Sequence, residues 1–184
     1  MSPRDAFIAA VRAGDREKVT AMLTDHPSLA IVRRDGASAV LIARYHGRHE
    51  IVALLRQAIL EPDIFEAAAL GDRERVAHVL DGDPTLANAV AEDGFGPLGL
   101  ASFFDHEAVV ALLLERGAPV NARQGTSGLG FTPLMEASYN GQVEMVDVLL
   151  AHGADRSMRD DNGLTASDYA RQNGHEALAG RLAG

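Results

Sequence analysis

Apolar residues recur along this chain in short bursts separated by small or charged ones, and within the bursts their spacing is helical. Val109-Val110 is followed by Leu112-Leu113-Leu114, and Met145-Val146 by Val148-Leu149-Leu150, so apolar side chains fall at i, i+3 and i+4. That spacing predicts amphipathic helices, each with one stripe to bury against a neighbour. A small-residue turn stands ahead of each such helix, at Gly14, Gly47, Gly71, Asp105, Gly141 and Gly174, mostly 33 to 36 residues apart. A repeating helix-turn-helix unit follows from this period.

A longer repeat is superimposed on the short one. Gly14 to Ala30 reads GDREKVTAMLTDHPSLA and Gly71 to Ala87 reads GDRERVAHVLDGDPTLA, about 57 residues apart. The match continues after one added residue, with Asp35-Gly36 against Asp93-Gly94 and Ile51-Val52-Ala53-Leu54-Leu55 against Val109-Val110-Ala111-Leu112-Leu113. The first two-thirds of the chain is an internal duplication of a two-unit module.

The segment Gly130-Phe131-Thr132-Pro133-Leu134-Met135-Glu136-Ala137 resembles the T-P-L-H-x-A helix opening of the ankyrin repeat family. Gly117-Ala118-Pro119-Val120-Asn121-Ala122 and Gly153-Ala154-Asp155 resemble that family's G-A-D-V-N-A ending. These motifs also have a physical reading. Pro97 and Pro133 stand at a helix start, where the missing N–H costs nothing, with Thr132 as N-cap. Gly117 and Gly153 follow a helix, where a positive φ is needed. The resemblance implies an all-α ankyrin-repeat solenoid with short β-hairpin fingers and six units in one domain, 5–33, 34–62, 63–91, 92–126, 127–159 and 160–184. The first and third units lack T-P-L and open directly as Phe7-Ile8-Ala9-Ala10 and Phe65-Glu66-Ala67-Ala68. The family's His after Pro-Leu is absent, since Leu41, Gly99, Met135 and Asp168 stand there. Its hydrogen bonds must be lost or replaced.

Two spacings break the period. Gly47 and Gly71 lie only 24 residues apart, so Glu61-Pro62-Asp63 is expected to replace one finger with a short link. The segment from Ala122 to Leu129 is about three residues too long and glycine-rich, which predicts a projecting finger.

Composition agrees with thin helices packed through small side chains: 47 % of residues are apolar, 5 % are aromatic, Trp is absent and Ala is abundant. The formal charge of -9 opposes binding to nucleic acid phosphates. With no Cys, disulfides and thiolate chemistry are excluded. The start Met1-Ser2-Pro3-Arg4-Asp5 has no apolar stretch and no run is long enough to span a membrane, so a cytoplasmic protein without a membrane partner is expected. A monomer is expected separately, the sequence itself not fixing the oligomeric state. Lys18 is the only lysine among 17 basic residues, a bias that suggests a GC-rich bacterial genome.

No catalytic, metal or cofactor site emerges. Gly125-Thr126-Ser127-Gly128-Leu129-Gly130 lacks the Gly-Lys-Ser/Thr ending of a phosphate loop and leads into a repeat helix, which reads as a finger. His49-Glu50, His106-Glu107 and His175-Glu176 each begin H-E-x-x-H, but Ala53, Val110 and Ala179 occupy the second His position. These pairs read as helix N-termini, with the acid favoured by the dipole. Asp81/Asp83 and Asp160/Asp161 lack the terminal Glu of a Ca²⁺ loop and read as turn caps.

The resemblance places a binding groove along the last turn of each first helix and the finger tips. Tyr45, Phe103 and Tyr139 hold equivalent places two residues before the turn, Phe104 lies beside Phe103, and Phe95 and Phe131 flank the helix openings. His46, Asn140, Arg123 and Gln124 complete an aromatic and polar stripe of the kind found at binding hot spots. The finger at 122–129 is expected to close over it. The expected function is a non-catalytic adaptor or regulator that binds a protein. Two alternatives are an inhibitor or immunity protein for a basic toxin or enzyme, whose encounter the negative charge would speed, and a self-assembling array. Arg171, Gln172, Asn173 and Arg181 in the last unit oppose the array, because a capping repeat needs a polar outer surface.

Overall fold

The computed structural model describes residues 2–124 and 130–184. The described residues are all-α apart from one small hairpin, and they separate into two compact units, Met1–Glu66 and Ala67–Gly184.

The first unit opens with α1 (Pro3–Ala13) and α2 (Arg16–Asp25), joined at Gly14, whose φ of 78° closes α1 in the left-handed region. A 3-10 turn at Pro27–Ile31 follows, with Pro27 at its first position. The antiparallel strands β1 (Arg33–Arg34) and β2 (Ala37–Ser38) are joined by Asp35 and Gly36, both at positive φ. Two positive-φ residues in sequence are the requirement of a type I′ hairpin, which the Asp-Gly pair meets. Ser38 caps α3 (Ala39–Tyr45), and α4 (His49–Ala58) packs on α2 and α3 over buried Leu41, Ile51 and Leu55.

The expected short link is present after α4. Residues 59–63 carry no strand, and Asp63 caps the start of α5 (Ile64–Leu70) by accepting from the backbone N–H groups of Phe65 and Glu66, both at 2.9 Å. Glu66 returns the bond, its carboxylate accepting from Asp63 N at 3.1 Å, which completes a capping box. The Arg33 guanidinium pairs with Asp63, tying the hairpin to the link.

In the second unit α6 (Arg73–Gly82) leads to a second 3-10 turn at Pro84–Asn88, so the sequence duplication is also a structural one. Then come the pairs α7 (Pro97–Phe103) and α8 (Glu107–Glu115), α9 (Pro133–Asn140) and α10 (Val143–Ala151), α11 (Ala166–Gln172) and α12 (Glu176–Ala183). First helices stack on first helices, α7 on α9 on α11, and second on second, α6 on α8 on α10. Ala101, Ala137 and Ala170 are fully buried, and their small side chains let these helices approach closely.

The remaining expected fingers are turns rather than ladders among the described residues. Ala91 N donates to Phe95 O and Asp160 N to Leu164 O, both at 2.9 Å, and a single bridge links Gln124 with Phe131. Residues Gly125–Leu129 of the expected projecting finger lie outside the described residues.

The residue after the turn reaches back to the preceding repeat at three places. Arg48 Nε donates to Arg12 O at 2.8 Å above Gly14, and the His106 ring fills the space over Gly71 with Nε2 3.0 Å from Ala69 O. His175 covers Gly141 in the same way. The equivalent of His106 is therefore Arg48, one place before the His49 that pattern reading paired with it.

Candidate functional site

Tyr45, Phe103 and Tyr139 stand near the C-terminal ends of α3, α7 and α9, and they are 36 %, 37 % and 51 % exposed. Each helix has already used its inward stripe on its neighbours, so these rings project beyond the packed surface. In the first unit Tyr45 is flanked by exposed His46, whose Nδ1 lies 2.9 Å from Ile42 O.

In the second unit Phe103 and Phe104 meet edge to face with centroids 4.8 Å apart. Phe103, Phe131, Glu136, Tyr139, Asn140 and Tyr169, floored by Met135, line a pocket of about 150 Å³. Phe131 packs edge to face on Tyr169 at 5.0 Å, and Tyr139 tilts against the same ring at 6.2 Å. The Tyr169 hydroxyl donates to Asp160 Oδ2 at 2.6 Å. Burial raises the Tyr169 hydroxyl pKa, and the negative partner raises it further. Burial would also raise the Asp160 carboxyl, but hydrogen bonds from Tyr169, Leu164 and Asn162 outweigh it and hold the group below the usual range.

Glu136 follows from the register of the repeats. It lies three residues before Tyr139 and four before Asn140, on the same face of α9. Its column holds Ile42, Leu100 and Tyr169 in the second, fourth and sixth repeats, all at or below 6 % exposure, a second acid, the buried Glu66, in the third, and the exposed Ala9 in the first. An acid therefore occupies an apolar, half-buried place, and burial pushes its pKa up to about 8. Among the described residues no hydrogen bond or ion pair to its carboxyl is present.

Sequence reading missed Glu136, Met135 and Tyr169. A signal existed for the first, since the unit alignment sets a carboxyl against Ile42 and Leu100. Two expected site residues lie elsewhere than on an open stripe. Gln124 is buried at 6 % exposure, its amide occupying the space that the missing Cβ of Gly99 leaves. A glycine stands where the family pattern has His, and Gln124 fills that void from the finger. Arg123 is exposed but engaged, donating to Asp161 Oδ1 and to the Arg159 carbonyl, both at 2.8 Å. Phe95 is half-buried beside the turn it follows, and its N–H donates to Asp93 at 3.2 Å. Among the described residues no three His, Asp or Glu side chains are gathered to hold a metal, and no helix is long and apolar enough to cross a membrane.

Comparison with known proteins agrees with this architecture. The family model described as "Ankyrin repeats (3 copies)" matches residues 64–160 and 124–183. The chain is 41 % identical over 107 residues to the mouse "Ankyrin repeat and SAM domain-containing protein 6", covering 58 % of this chain and 12 % of that protein. It is 44 % identical over 70 residues to the mouse "ARF GTPase-activating protein GIT2", covering 38 % of this chain and 10 % of that protein. The "E3 ubiquitin-protein ligase XBAT33" of Arabidopsis thaliana is 37 % identical over 114 residues, 61 % of this chain and 22 % of that protein. The chain thus spans between about a tenth and a quarter of the length of these relatives. They are animal and plant proteins and lend no support to the bacterial origin inferred from the single lysine. Ankyrin repeats generally mediate protein–protein interaction. With more than half of its residues matched and its helix pairs stacked as described, the chain belongs to the ankyrin repeat family.

Proposed function

We propose that this chain is a non-catalytic protein-binding module, acting as an adaptor or regulator, whose contact surface in the second unit centres on Phe103, Phe104, Tyr139 and Asn140. The observation that carries this reading is the placing of scarce aromatics. A chain with 5 % aromatic residues leaves Phe103 and Tyr139 exposed on successive first helices, around the mouth of one apolar pocket. Exposed aromatics beside polar groups are the side chains that dominate binding energy at interfaces. Tyr45 and His46 hold the corresponding place on α3 in the first unit.

Replacing Phe103 and Tyr139 together by Ala tests this. Capture from native lysate should lose a protein that the unaltered chain retains, with helicity and melting temperature unchanged. Loss of the fold in that variant would return both rings to the core and end the proposal. A narrower reading, inhibition of a basic protein, is favoured by the net charge of -9. It requires association that slows steeply as salt rises.

A further inference from the structure

The pocket beneath Phe103 and Tyr139 combines aromatic walls with an acid that has no partner among the described residues. Resting on the protein-binding reading above, we propose that this pocket takes the guanidinium of an arginine side chain presented by the protein partner, with the rings of Phe131, Tyr139 and Tyr169 as walls and Glu136 as counter-ion.

Size, charge and chemistry all select this occupant. The volume of about 150 Å³ equals that of a cavity able to hold one benzene ring, roughly a guanidinium with its adjoining methylene. Ring faces attract cations, and the residues lining this pocket include no cation of their own. The Asp160 carboxylate accepts from the Tyr169 hydroxyl at 2.6 Å, placing a second negative charge at the end of one pocket ring. An apolar side chain would fill the space but leave the Glu136 carboxyl desolvated and unpaired, which opposes binding. Arginine is preferred over lysine because its planar, weakly hydrated group stacks on rings and pairs with a carboxylate through two N–H donors.

A pH dependence follows. Burial keeps Glu136 largely protonated at neutral pH, and a cation binds its ionised form, so binding expels a proton. Below about pH 8 the affinity should rise with pH by up to about tenfold per unit, and above it should level off. Guanidinium stays charged throughout. The other titratable groups facing Glu136 are Tyr139 on its own helix and Tyr169 on α11, whose hydroxyl is bonded to Asp160; α7 contributes Phe103, and no residue of α10 lines the pocket. Between about pH 6 and 8, Tyr169, its hydroxyl pKa raised by burial, stays neutral and Asp160, held below the usual carboxylate range by its hydrogen bonds, stays ionised.

The test is an NMR titration of the full chain with Nα-acetyl-arginine amide and, separately, its neutral isostere Nα-acetyl-citrulline amide. The arginine probe should shift the ring resonances of Phe131, Tyr139 and Tyr169 with a dissociation constant on the order of 1 mM. It should tighten at least about fivefold from pH 6 to 8, while citrulline binds about tenfold more weakly. Glu136→Gln, which mimics the protonated acid and keeps the fold, should weaken arginine binding and flatten its pH profile. Equal binding of the two probes, or a pH profile unchanged by Glu136→Gln, would overturn the proposal. If arginine is ignored while the Phe103/Tyr139 variant still loses its captured protein, the pocket assignment falls and the binding surface stands. If arginine binds but capture is indifferent to that variant, a protein source for the cation is overturned.

Discussion

Glu136 is the residue whose environment departs furthest from its sequence appearance. In the unfolded chain its carboxyl ionises near the ordinary value of 4.5, whereas in the fold it holds its proton up to about 8. The unfolded state therefore releases a proton first, and stability declines as pH rises from the lower value to the higher. Glu136→Gln removes this decline. It should stabilise the protein by about 2–3 kcal/mol at pH 8, allowing for the residue's partial solvent contact, and by under about 1 kcal/mol at pH 5. Thermal melts of both proteins at the two pH values check this, and an equal effect at both would contradict it. Gly141 and Gly153 offer a second comparison. Both have positive φ, but a Cβ on Gly141 would meet the His175 ring at 2.4 Å while one on Gly153 meets nothing within 4 Å. Gly153→Ala should cost about 1 kcal/mol for its backbone alone, and Gly141→Ala clearly more, read from denaturant midpoints. The exposed rings were legible in the sequence because their period matched the turns. Glu136 and Gln124 were not, because polar residues on a helix and a finger read as solvated until the neighbouring column, or the void over Gly99, is seen.

At the scale of elements, helix ends were the most legible feature, since each relies on a local residue with a fixed task. Thr132 accepts from Met135 N at 3.3 Å with Pro133 at the first helical position, as its T-P-L sequence predicts. The two 3-10 turns, Pro27–Ile31 and Pro84–Asn88, were not foreseen, because five residues are too few to show a period. Fingers were overestimated for a related reason: the family pattern gives their location but not whether they zip into strands, and only the Asp35-Gly36 turn supports a ladder among the described residues. The Asp63 cap provides a test at this scale. Asp63→Ala removes both the cap of α5 and the partner of Arg33, so it should cost about 1–2 kcal/mol. Asp72→Ala at the start of α6, where the side chain caps Arg75 N at 3.0 Å, should cost about 1 kcal/mol through the cap in the same unfolding measurement.

At the scale of the whole chain, each unit has its own buried helices, and within the second unit exposed ion pairs such as Arg116 with Asp81 and Arg123 with Asp161 join different repeats. Such pairs are each worth under about 1 kcal/mol, so salt should move the melting temperature little. The net charge of -9 acts over longer range, so association with a basic partner should weaken markedly over the same salt series. The repeat architecture itself says nothing of a target, since function lies in side chains grafted on the fold. The central claim is that the aromatic surface of α7 and α9 binds a protein. It is tested most directly by quantitative mass spectrometry of lysate captured on three forms: the unaltered chain, Phe103→Ala with Tyr139→Ala, and a control with Glu115→Ala and Glu144→Ala, exposed on the second helices α8 and α10. The account predicts a protein retained by the first and third forms and lost from the second, with all three equally folded. Retention by all three, or loss from the control alone, would contradict it.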